Sequence, residues 1–435
     1  MKKDFSAKAV QLALRVAGYD KEVPEKILDL SQFQGNEEIV FRMETNTNGY
    51  SFFMLDVTLC EDNHWRLIEA NGSNAALSST AVNGDNARVK HLTEIFLSKG
   101  VPGKKCVVLF VHQFRFIHLG EFFCRAARFS EYLSEQRNVA LRNVDEEIGN
   151  EEVTVVAGEI SEVAKEITCT AEEMLYKGVP VALASNPNLL PELVRNHCLN
   201  VAMEKVIIGI FHEQSCTALI HDKTLQQTVC NGSGILRLNC DDAFLLPECM
   251  TVVEKAAKDN RVVVAKMNAG SGGTGVEFFT PWMSQSEVSQ KLSAMEKTVI
   301  DKYGVNATAT MYPVRFFEFA KAKEAMINGK GHLWDLRMEV LVRPGNVEIR
   351  PCVVRACPAP FDGSYSRKSV VSNLSGRVDA KELAKYMFKN PFHAESGFNH
   401  GLCISPEKLN ELVNAVVKWS ENAMAIYCLP NSVGC

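Results

Sequence analysis

The sequence lacks the features that mark several common classes of protein. No apolar run reaches about 18 residues, so we expect no membrane span. Lys and Arg form no dense run and total 47 against 52 Asp and Glu, so nothing indicates a nucleic-acid partner. No two of the 14 cysteines are spaced as Cys-x-x-Cys, which argues against a zinc ribbon and favours reduced thiols in a cytoplasmic protein.

Two catalytic signatures are also missing. No Gly-x-Ser-x-Gly elbow is present, so serine hydrolase chemistry has no support. No Gly-x-Gly-x-x-Gly follows the apolar strand predicted at 104–112, which counts against a nicotinamide dehydrogenase. The first 21 residues begin like a signal peptide, but Asp4, Lys8 and Arg15 interrupt the apolar part, so we interpret them as an amphipathic helix.

The length and the hydrophobic pattern predict an α/β protein with more than one domain. The 435 residues allow roughly three domains at about 150 residues each. Strands alternate with helices between about 100 and 211, which is typical of a doubly wound parallel sheet. From 260 onward the pattern is strand, Gly-rich loop and several longer strands, and residues 406–427 have the periodicity of a helix. We therefore expect a doubly wound domain joined to a mixed α+β domain.

A Gly-rich loop between two predicted strands is the first candidate site. The strand ends in Lys266, and the loop contains Gly270, Ser271, Gly272, Gly273 and Gly275. Glycines let backbone N–H groups approach a phosphate closely, and a lysine adds a point charge. Neither a P-loop nor a dinucleotide fingerprint fits, because a strand follows where both need a helix. The alternatives are a phosphate-binding loop and a plain hairpin tip.

Asp56, Glu69 and Asn71 form the second candidate site. If Asp62–Asn63 make a two-residue turn between the strands 51–59 and 65–71, Asp56 lies opposite Glu69 and Asn71 shares its face. Two carboxylates and an amide oxygen suit Mg²⁺, whereas like charges directly opposite one another are otherwise destabilising. The alternatives are a metal site and a pair of solvated charges.

Two arginines and a lysine complete the candidate set. Arg337, in the segment Asp335-Leu336-Arg337, and Arg355 lie on two long predicted strands joined by a Pro-Gly-Asn turn. A planar guanidinium can clamp a phosphate or a carboxylate, although an ordinary ion pair is at least as good an interpretation of either arginine. Lys223 follows Asp222 at the start of a predicted helix, which alone indicates only a helix start.

Taken together, these segments resemble the ATP-grasp ligases. Residues 221–235 resemble the segment that carries the family's first ATP-binding lysine, which is here Lys223, and 262–279 match the second lysine, Lys266, with its mobile Gly-rich loop. Residues 313–322 are similar to the strand that leads to the adenine hinge, with Glu318 at the acidic position. The Asp-x-Arg segment, Arg355 and the segment 369–377 resemble elements of the carboxylate–amine ligase branch. The match implies that Asp56, Glu69 and Asn71 bind magnesium.

The order of the elements departs from the family, because the Asp and Glu-x-Asn strands precede the other elements here. A circular permutation, in an order similar to eukaryotic glutathione synthetase, accounts for this. The resemblance implies an ATP-grasp fold, two α+β subdomains that enclose ATP, with a Rossmann-like domain. The implied divisions are 1–100 completing the ATP-grasp domain, 101–210 Rossmann-like, 211–312 the lid subdomain and 313–435 the catalytic subdomain.

The resemblance implies an ADP-forming ligase that joins a small carboxylate to an amine through an acyl phosphate, with ATP and Mg²⁺ as cofactors. Arg337 and Arg355 are then candidates for stabilising the acyl phosphate or holding the substrate carboxylate. An ATP-grasp kinase and a non-catalytic nucleotide-binding protein are the alternatives. The substrates and any homo-oligomer are left open by the sequence.

Overall fold

The computed structural model describes residues 39–71, 87–98, 105–112, 116–170, 173–184, 223–267, 275–303, 314–372, 386–388 and 404–427. The predicted N-terminal helix, residues 185–211 of the predicted strand–helix region and residues 270–273 of the Gly-rich loop lie outside this part of the chain. The described residues form a mixed α/β protein with three larger sheets.

The strands are β1 (Phe41–Glu44), β2 (Ser51–Leu59), β3 (Trp65–Asn71), β4 (Cys106–His112), β5 (Val139–Asn143), β6 (Val153–Glu159), β7 (Ile167–Cys169), β8 (Met174–Tyr176), β9 (Val179–Ala184), β10 (Cys240–Ala243), β11 (Val263–Met267), β12 (Val276–Phe279), β13 (Val314–Glu318), β14 (Ala325–Ile327), β15 (Lys330–His332), β16 (Trp334–Arg343), β17 (Asn346–Ala356) and β18 (Met387–Phe388). The helices are α1 (Ala87–Ser98), α2 (Phe116–Ser134), α3 (Ile160–Lys165), α4 (Lys223–Val229), α5 (Leu246–Lys258), α6 (Gln285–Tyr303), α7 (Arg367–Val370) and α8 (Pro406–Tyr427).

The first sheet joins strands from both ends of the chain. Its order is β1-β17-β16-β2-β3, with β18 paired to β17, and every pairing is antiparallel. Strand β2 is buried on both faces, as its unbroken apolar run predicts. Phe53, Leu336 and Val340 on one face belong to the core cluster that contains Trp419 of α8. The opposite face carries Asp56, Asp335 and Arg337, because successive side chains alternate between the faces of a sheet.

A second sheet contains the predicted parallel strands. Strands β5, β6, β4 and β9 pair in parallel in that order, and the predicted helix after β4 is present as α2. The short strands β8 and β7 add an antiparallel edge that the sequence pattern did not indicate. Strands β4 and β6 have almost entirely apolar, buried side chains, as expected for strands covered on both faces. The parallel pairing is therefore confirmed, whereas the Rossmann-like assignment stays a prediction.

The third sheet is antiparallel, with the order β10-β13-β11-β12. Helices α5 and α6 supply Val253, Leu292 and Met295 to a core with Ala265 and Phe316 of this sheet. Neither helix was predicted from the sequence. The strands on either side of the Gly-rich loop, β11 and β12, are where the sequence placed them.

The turn between β2 and β3 differs from the prediction. The backbone N–H of Cys60 donates to the carbonyl oxygen of His64 at 3.0 Å, so three residues form the turn. Asn63 takes the left-handed conformation with φ 64°, which Asn tolerates better than most residues. The predicted two-residue turn at Asp62–Asn63 is therefore wrong, because the side chain of Asp62 instead accepts from the backbone N–H of His64 and from Arg66.

Among the described helices, none is both long enough and apolar enough to cross a membrane. Six cysteines whose side chains the structure describes are free: Cys60, Cys106, Cys230, Cys240, Cys249 and Cys357. Cys169, in β7, is disulfide-bonded, so the expectation of reduced thiols throughout is wrong for this cysteine.

Candidate active site

A cleft lies between the first sheet and the four-stranded sheet. Six of the candidate site residues line it, although they come from distant parts of the chain: Asp56, Glu69, Lys223, Lys266, Glu318 and Arg355. Asn71, Gly275 and Arg337 do not line it. The charged lining residues are Asp56, Arg66, Glu69, Lys223, Lys266, Glu318, Asp335 and Arg355. The apolar lining residues include Ile68, Leu238, Val264, Val276, Phe278, Phe317 and Phe319. Such a mixture of apolar walls and a few convergent polar groups is typical of a small-molecule site.

An irregularity in β3 sets the geometry of the first two carboxylates. Val57 pairs with Leu67, but Asp56 pairs with Glu69, so Ile68 is an extra residue in β3. The prediction that Asp56 lies opposite Glu69 is thus confirmed, because this extra residue compensates for the longer turn. The carbonyl oxygen of Ile68 accepts a hydrogen bond from Lys266 Nζ at 3.1 Å.

Asp56 is buried and paired with two arginines. Arg337 donates to both of its carboxylate oxygens, from Nε to Oδ1 at 2.7 Å and from Nη2 to Oδ2 at 2.8 Å. Nη2 of Arg355 lies 2.9 Å from Oδ2, and Asn71 Nδ2 donates to the same oxygen at 3.3 Å. Burial alone would raise the pKa of Asp56, but the two guanidinium groups outweigh it and lower the pKa to about 2.

Asp335 holds Arg355 from the other side. Arg355 donates from Nε and Nη2 to the two oxygens of Asp335 at 2.7 and 2.8 Å. The hydroxyl of Ser372 donates to Oδ2 of Asp335. Burial raises the pKa of Asp335. The charge of Arg355 opposes this increase, and the neighbouring charge of Asp56 adds to it. Arg355 therefore bridges two carboxylates, Asp56 and Asp335, in a buried network.

Glu69 and Lys223 form an ion pair across the cleft floor. Lys223 Nζ donates to Glu69 Oε1 at 2.6 Å, and the lysine is the first residue of α4. Gln226 of the same helix fixes the helix against β3, because its amide accepts from the N–H of Ala70 and donates to the carbonyl oxygen of Ala70. Burial would raise the pKa of Glu69, but the charges of Lys223 and Lys266 lower it.

Lys266 lies at the centre of the positive charge in the cleft. Besides its bond to Ile68, its Nζ lies 5.2 Å from the centre of the Phe317 ring, a cation–π distance. Burial lowers the pKa of Lys266 to about 8, against the opposing effect of the Glu69 carboxylate. An added anion would restore the charged form of this lysine.

The structure describes only some of the candidate residues of the Gly-rich loop and the hinge. Gly270, Ser271, Gly272 and Gly273 lie outside the described residues, so their phosphate contacts stay a prediction. Gly275 has φ +68°, and a Cβ there would lie 2.0 Å from the sulfur of Met267, so only glycine fits. Glu318 lines the cleft and accepts from Asn239 Nδ2 at 2.7 Å.

The oxygen atoms of these side chains suit Mg²⁺ only when an anion binds together with the metal. Asp56, Glu69 and Asn71 present hard oxygen donors of the kind Mg²⁺ takes. Their carboxylates face four cationic side chains, however, and within the described residues no three His, Cys, Asp or Glu side chains lie together as a metal site. With Asp335, which pairs with Arg355, three carboxylates lie among these four cations. The cations disfavour a free divalent cation but suit a metal-bound polyphosphate, which is how Mg²⁺ commonly binds.

Several contributors to the site were not identified from the sequence. Phe317 and Gln226 belong to a predicted strand and a predicted helix, and Ser372 belongs to the segment 369–377, but nothing in the sequence singled out these three side chains. Alternation along β13 could have placed Phe317 on the face opposite Phe316, since side chains alternate in a strand. The contact of Ser372 with Asp335 joins residues 37 positions apart and has no local signal.

No protein-family model and no curated protein sequence matches the chain. Solved structures resemble it only distantly. A protein provisionally named gamma-glutamylcysteine synthetase from Methylobacillus flagellatus KT is 9% identical, with a TM-score of 0.47, over 98% of this chain and 96% of that protein. A glutathione synthetase-like effector from Globodera pallida, in its apo form, is 13% identical, with a TM-score of 0.42, over 82% of this chain and 81% of that one.

D-alanyl-alanine synthetase A from Vibrio cholerae O1 is 12% identical to the chain, with a TM-score of 0.35, over 72% of this chain and 80% of that protein. All three similarities fall below a TM-score of 0.5. They therefore support no conclusion about fold family or activity, and a function has to be supported by the cleft itself.

Proposed function

We propose that the chain is an ATP-dependent ligase of the ATP-grasp type that joins a small carboxylate to an amine and releases ADP and phosphate. One observation carries the proposal. Lys223 and Lys266, from a helix and from a separate sheet, meet Glu69 in a cleft whose floor also holds Asp56. Two cations and two carboxylates at one end of an apolar cleft suit a magnesium-bound nucleoside triphosphate.

The nucleotide is proposed to bind with its phosphates at Lys223 and Lys266. The ion pair with Glu69 holds the Lys223 ammonium in place, and the Ile68 carbonyl oxygen does the same for Lys266. The apolar lining, which includes Val264 and Phe278, provides a surface for a base. Glu318 lies at the end of β13, and residues 269–275 are proposed to close over the phosphates and exclude water.

Magnesium, when bound with the nucleotide, would neutralise phosphate oxygens, and Asp56, Glu69 and Asn71 would hold it. The proposed circularly permuted order is supported by the first sheet, in which β2 and β3 pair beside β16. The proposed domains keep the boundaries 1–100, 101–210, 211–312 and 313–435.

The proposed reaction has two steps. A carboxylate oxygen of the substrate bonds to the γ-phosphorus, the bond from that phosphorus to the β–γ bridging oxygen breaks, and ADP leaves. The amine nitrogen then bonds to the acyl carbon, loses a proton, and phosphate leaves with the C–O bonding pair. Arg337 and Arg355 are proposed to stabilise the negative charge of the acyl phosphate, for which a planar guanidinium is well shaped.

The test is turnover with pooled substrates. Pure protein is incubated with ATP, Mg²⁺, amino acids and small carboxylates, and the products are resolved by mass. We expect ADP, free phosphate and a new amide mass in the wild type, and loss of all three in Glu69→Ala. Glu411→Gln serves as the matched control, because Glu411 forms an exposed ion pair with Lys408 on α8.

Other products would contradict the proposal in different ways. ADP with a phosphorylated small molecule would identify a kinase. AMP with pyrophosphate would rule out the acyl-phosphate route. Nucleotide binding without turnover on any pooled substrate would favour a non-catalytic nucleotide-binding protein.

A further inference from the structure

The two arginines assigned to the substrate are both occupied by carboxylates of the protein itself. Arg337 is bidentate on Asp56, and Arg355 is bidentate on Asp335 while it also contacts Asp56. The side chains of all four residues are less than one-tenth exposed. Each arginine donates from Nε and Nη2, so this edge of the guanidinium is taken and cannot hold a second oxyanion.

The two carboxylates differ in what lies beside them. Asp335 accepts from Arg355 and from Ser372. Asp56 accepts from Arg337, Arg355 and Asn71. Asp56 also lies directly opposite Glu69, with which it would share a divalent cation. Of the two, Asp56 is therefore the carboxylate beside which an alternative cationic partner would bind.

We propose that Asp56 is an internal occupant of an oxyanion site formed by Arg337 and Arg355, and that the site opens when Asp56 turns toward a divalent cation. The proposal rests on the proposed function for the identity of the natural anion, a substrate carboxylate or a transferred phosphoryl group. Asp335 keeps Arg355 in position throughout. The contact of Asp56 with the two arginines thus couples cation binding to anion binding, because the arginine donors become available only when Asp56 has another partner.

The test measures binding of inorganic phosphate to the metal-free protein by isothermal titration calorimetry. Asp56→Asn should bind phosphate at least about tenfold more tightly than the wild type, because Arg337 loses its bidentate carboxylate and Arg355 loses one of its two. Asp335→Asn removes the same charge but leaves Asp56 on both arginines, so it should show no such gain. An equal gain in the two variants would mean a general charge effect and would overturn the proposal.

Two further measurements allow the result to be interpreted if the Asp56→Asn variant is less stable than the wild type. In the double variant Asp56→Asn/Arg337→Ala the gain should disappear, and thermal unfolding establishes that each variant is folded. In the wild type, Mg²⁺ should tighten phosphate binding, whereas in Asp56→Asn it should add little. Wild-type phosphate affinity that is unchanged by Mg²⁺, together with unchanged binding in folded Asp56→Asn, would contradict the exchange.

Acetate in place of phosphate distinguishes the two sources of the oxyanion. A gain that is larger for acetate assigns the site to the substrate carboxylate, and one that is larger for phosphate assigns it to the phosphoryl group. The assay contains no nucleotide and measures no turnover. Its outcome is therefore separate from that of the ligase test, and either proposal can fail alone.

Discussion

Lys266 donates a hydrogen bond to the carbonyl oxygen of Ile68, the extra residue in β3, at 3.1 Å. The same irregularity places Asp56 opposite Glu69. One inserted residue therefore fixes a lysine from the four-stranded sheet against the first sheet and aligns two carboxylates beside it. This contact connects the two walls of the cleft.

The pKa of Lys266 predicts that nucleotide binding takes up a proton at mildly alkaline pH. Burial lowers this pKa from 10.5 to about 8, whereas phosphate oxygens favour the charged ammonium. At about pH 8.5 binding should therefore draw a proton from the buffer, and at about pH 6.5 it should not, because the lysine is already charged. Calorimetry with a non-hydrolysable ATP analogue in two buffers of different ionisation enthalpy measures the uptake.

Lys266→Arg is the control for this linkage, because an arginine stays charged at both pH values. We expect it to bind the analogue without the alkaline proton uptake. An uptake that persists in Lys266→Arg would assign the proton to another group and contradict the role of Lys266.

Gly275 should not tolerate a side chain. Gly275→Ala combines a left-handed backbone with a Cβ 2.0 Å from the sulfur of Met267, so we expect about 1–3 kcal/mol lower stability. Gly345→Ala is the matched control, because Gly345 also has positive φ, +73°, but nothing lies within 4 Å of its Cβ position. Chemical unfolding of both variants measures the difference, and equal losses would contradict a steric role for Met267.

Asp56 should contribute stability that disappears in acid. Its folded pKa of about 2 lies below the ordinary 3.8, so the stabilisation is fully present above about pH 4 and is lost as the pH falls toward 2. Asp56→Ala leaves two buried arginines short of one anion and should cost about 3–5 kcal/mol near neutral pH. Denaturant unfolding between about pH 5 and 2.5 should show a steeper loss for the wild type than for Asp56→Ala; parallel profiles would contradict the pairing.

Lys223 and Glu69 should be energetically coupled. A double-mutant cycle of Lys223→Met and Glu69→Gln should give an interaction free energy of about 1–3 kcal/mol, because the 2.6 Å pair is largely shielded from solvent. The exposed pair Lys418–Glu421, 3.1 Å apart, should give less than about 0.5 kcal/mol in the same measurement. An equal interaction free energy in the two pairs would contradict the prediction that burial strengthens the Lys223–Glu69 ion pair.

Local patterns predicted many of the elements but not how the site is assembled. The strand alternation and apolar runs placed β2, β3, β16 and β17, and periodicity placed α8. The opposition of Asp56 and Glu69 was predicted from a two-residue turn that is absent, and an extra residue at Ile68 restores the pairing. Residue spacing alone cannot predict that the longer turn and the extra residue in β3 offset each other.

The contacts that define the site join distant positions. Arg337 and Asp56 are 281 residues apart, and Lys223 and Glu69 are 154 apart. Such pairings depend on which strands become neighbours in a sheet, which no local propensity specifies. Strand β1 was missed for a related reason, since it is a half-exposed edge strand of four residues in a polar segment.

The most direct test of the account is equilibrium binding of the magnesium complex of a non-hydrolysable ATP analogue. We expect wild-type protein to bind it and Lys223→Met and Lys266→Met each to lose at least about tenfold in affinity, since each removes a phosphate-binding charge. Lys291→Met, which breaks only a pair with Glu277, should bind as the wild type does. Equal binding by all four proteins, or none by the wild type, would contradict the assignment of the cleft as a nucleotide site.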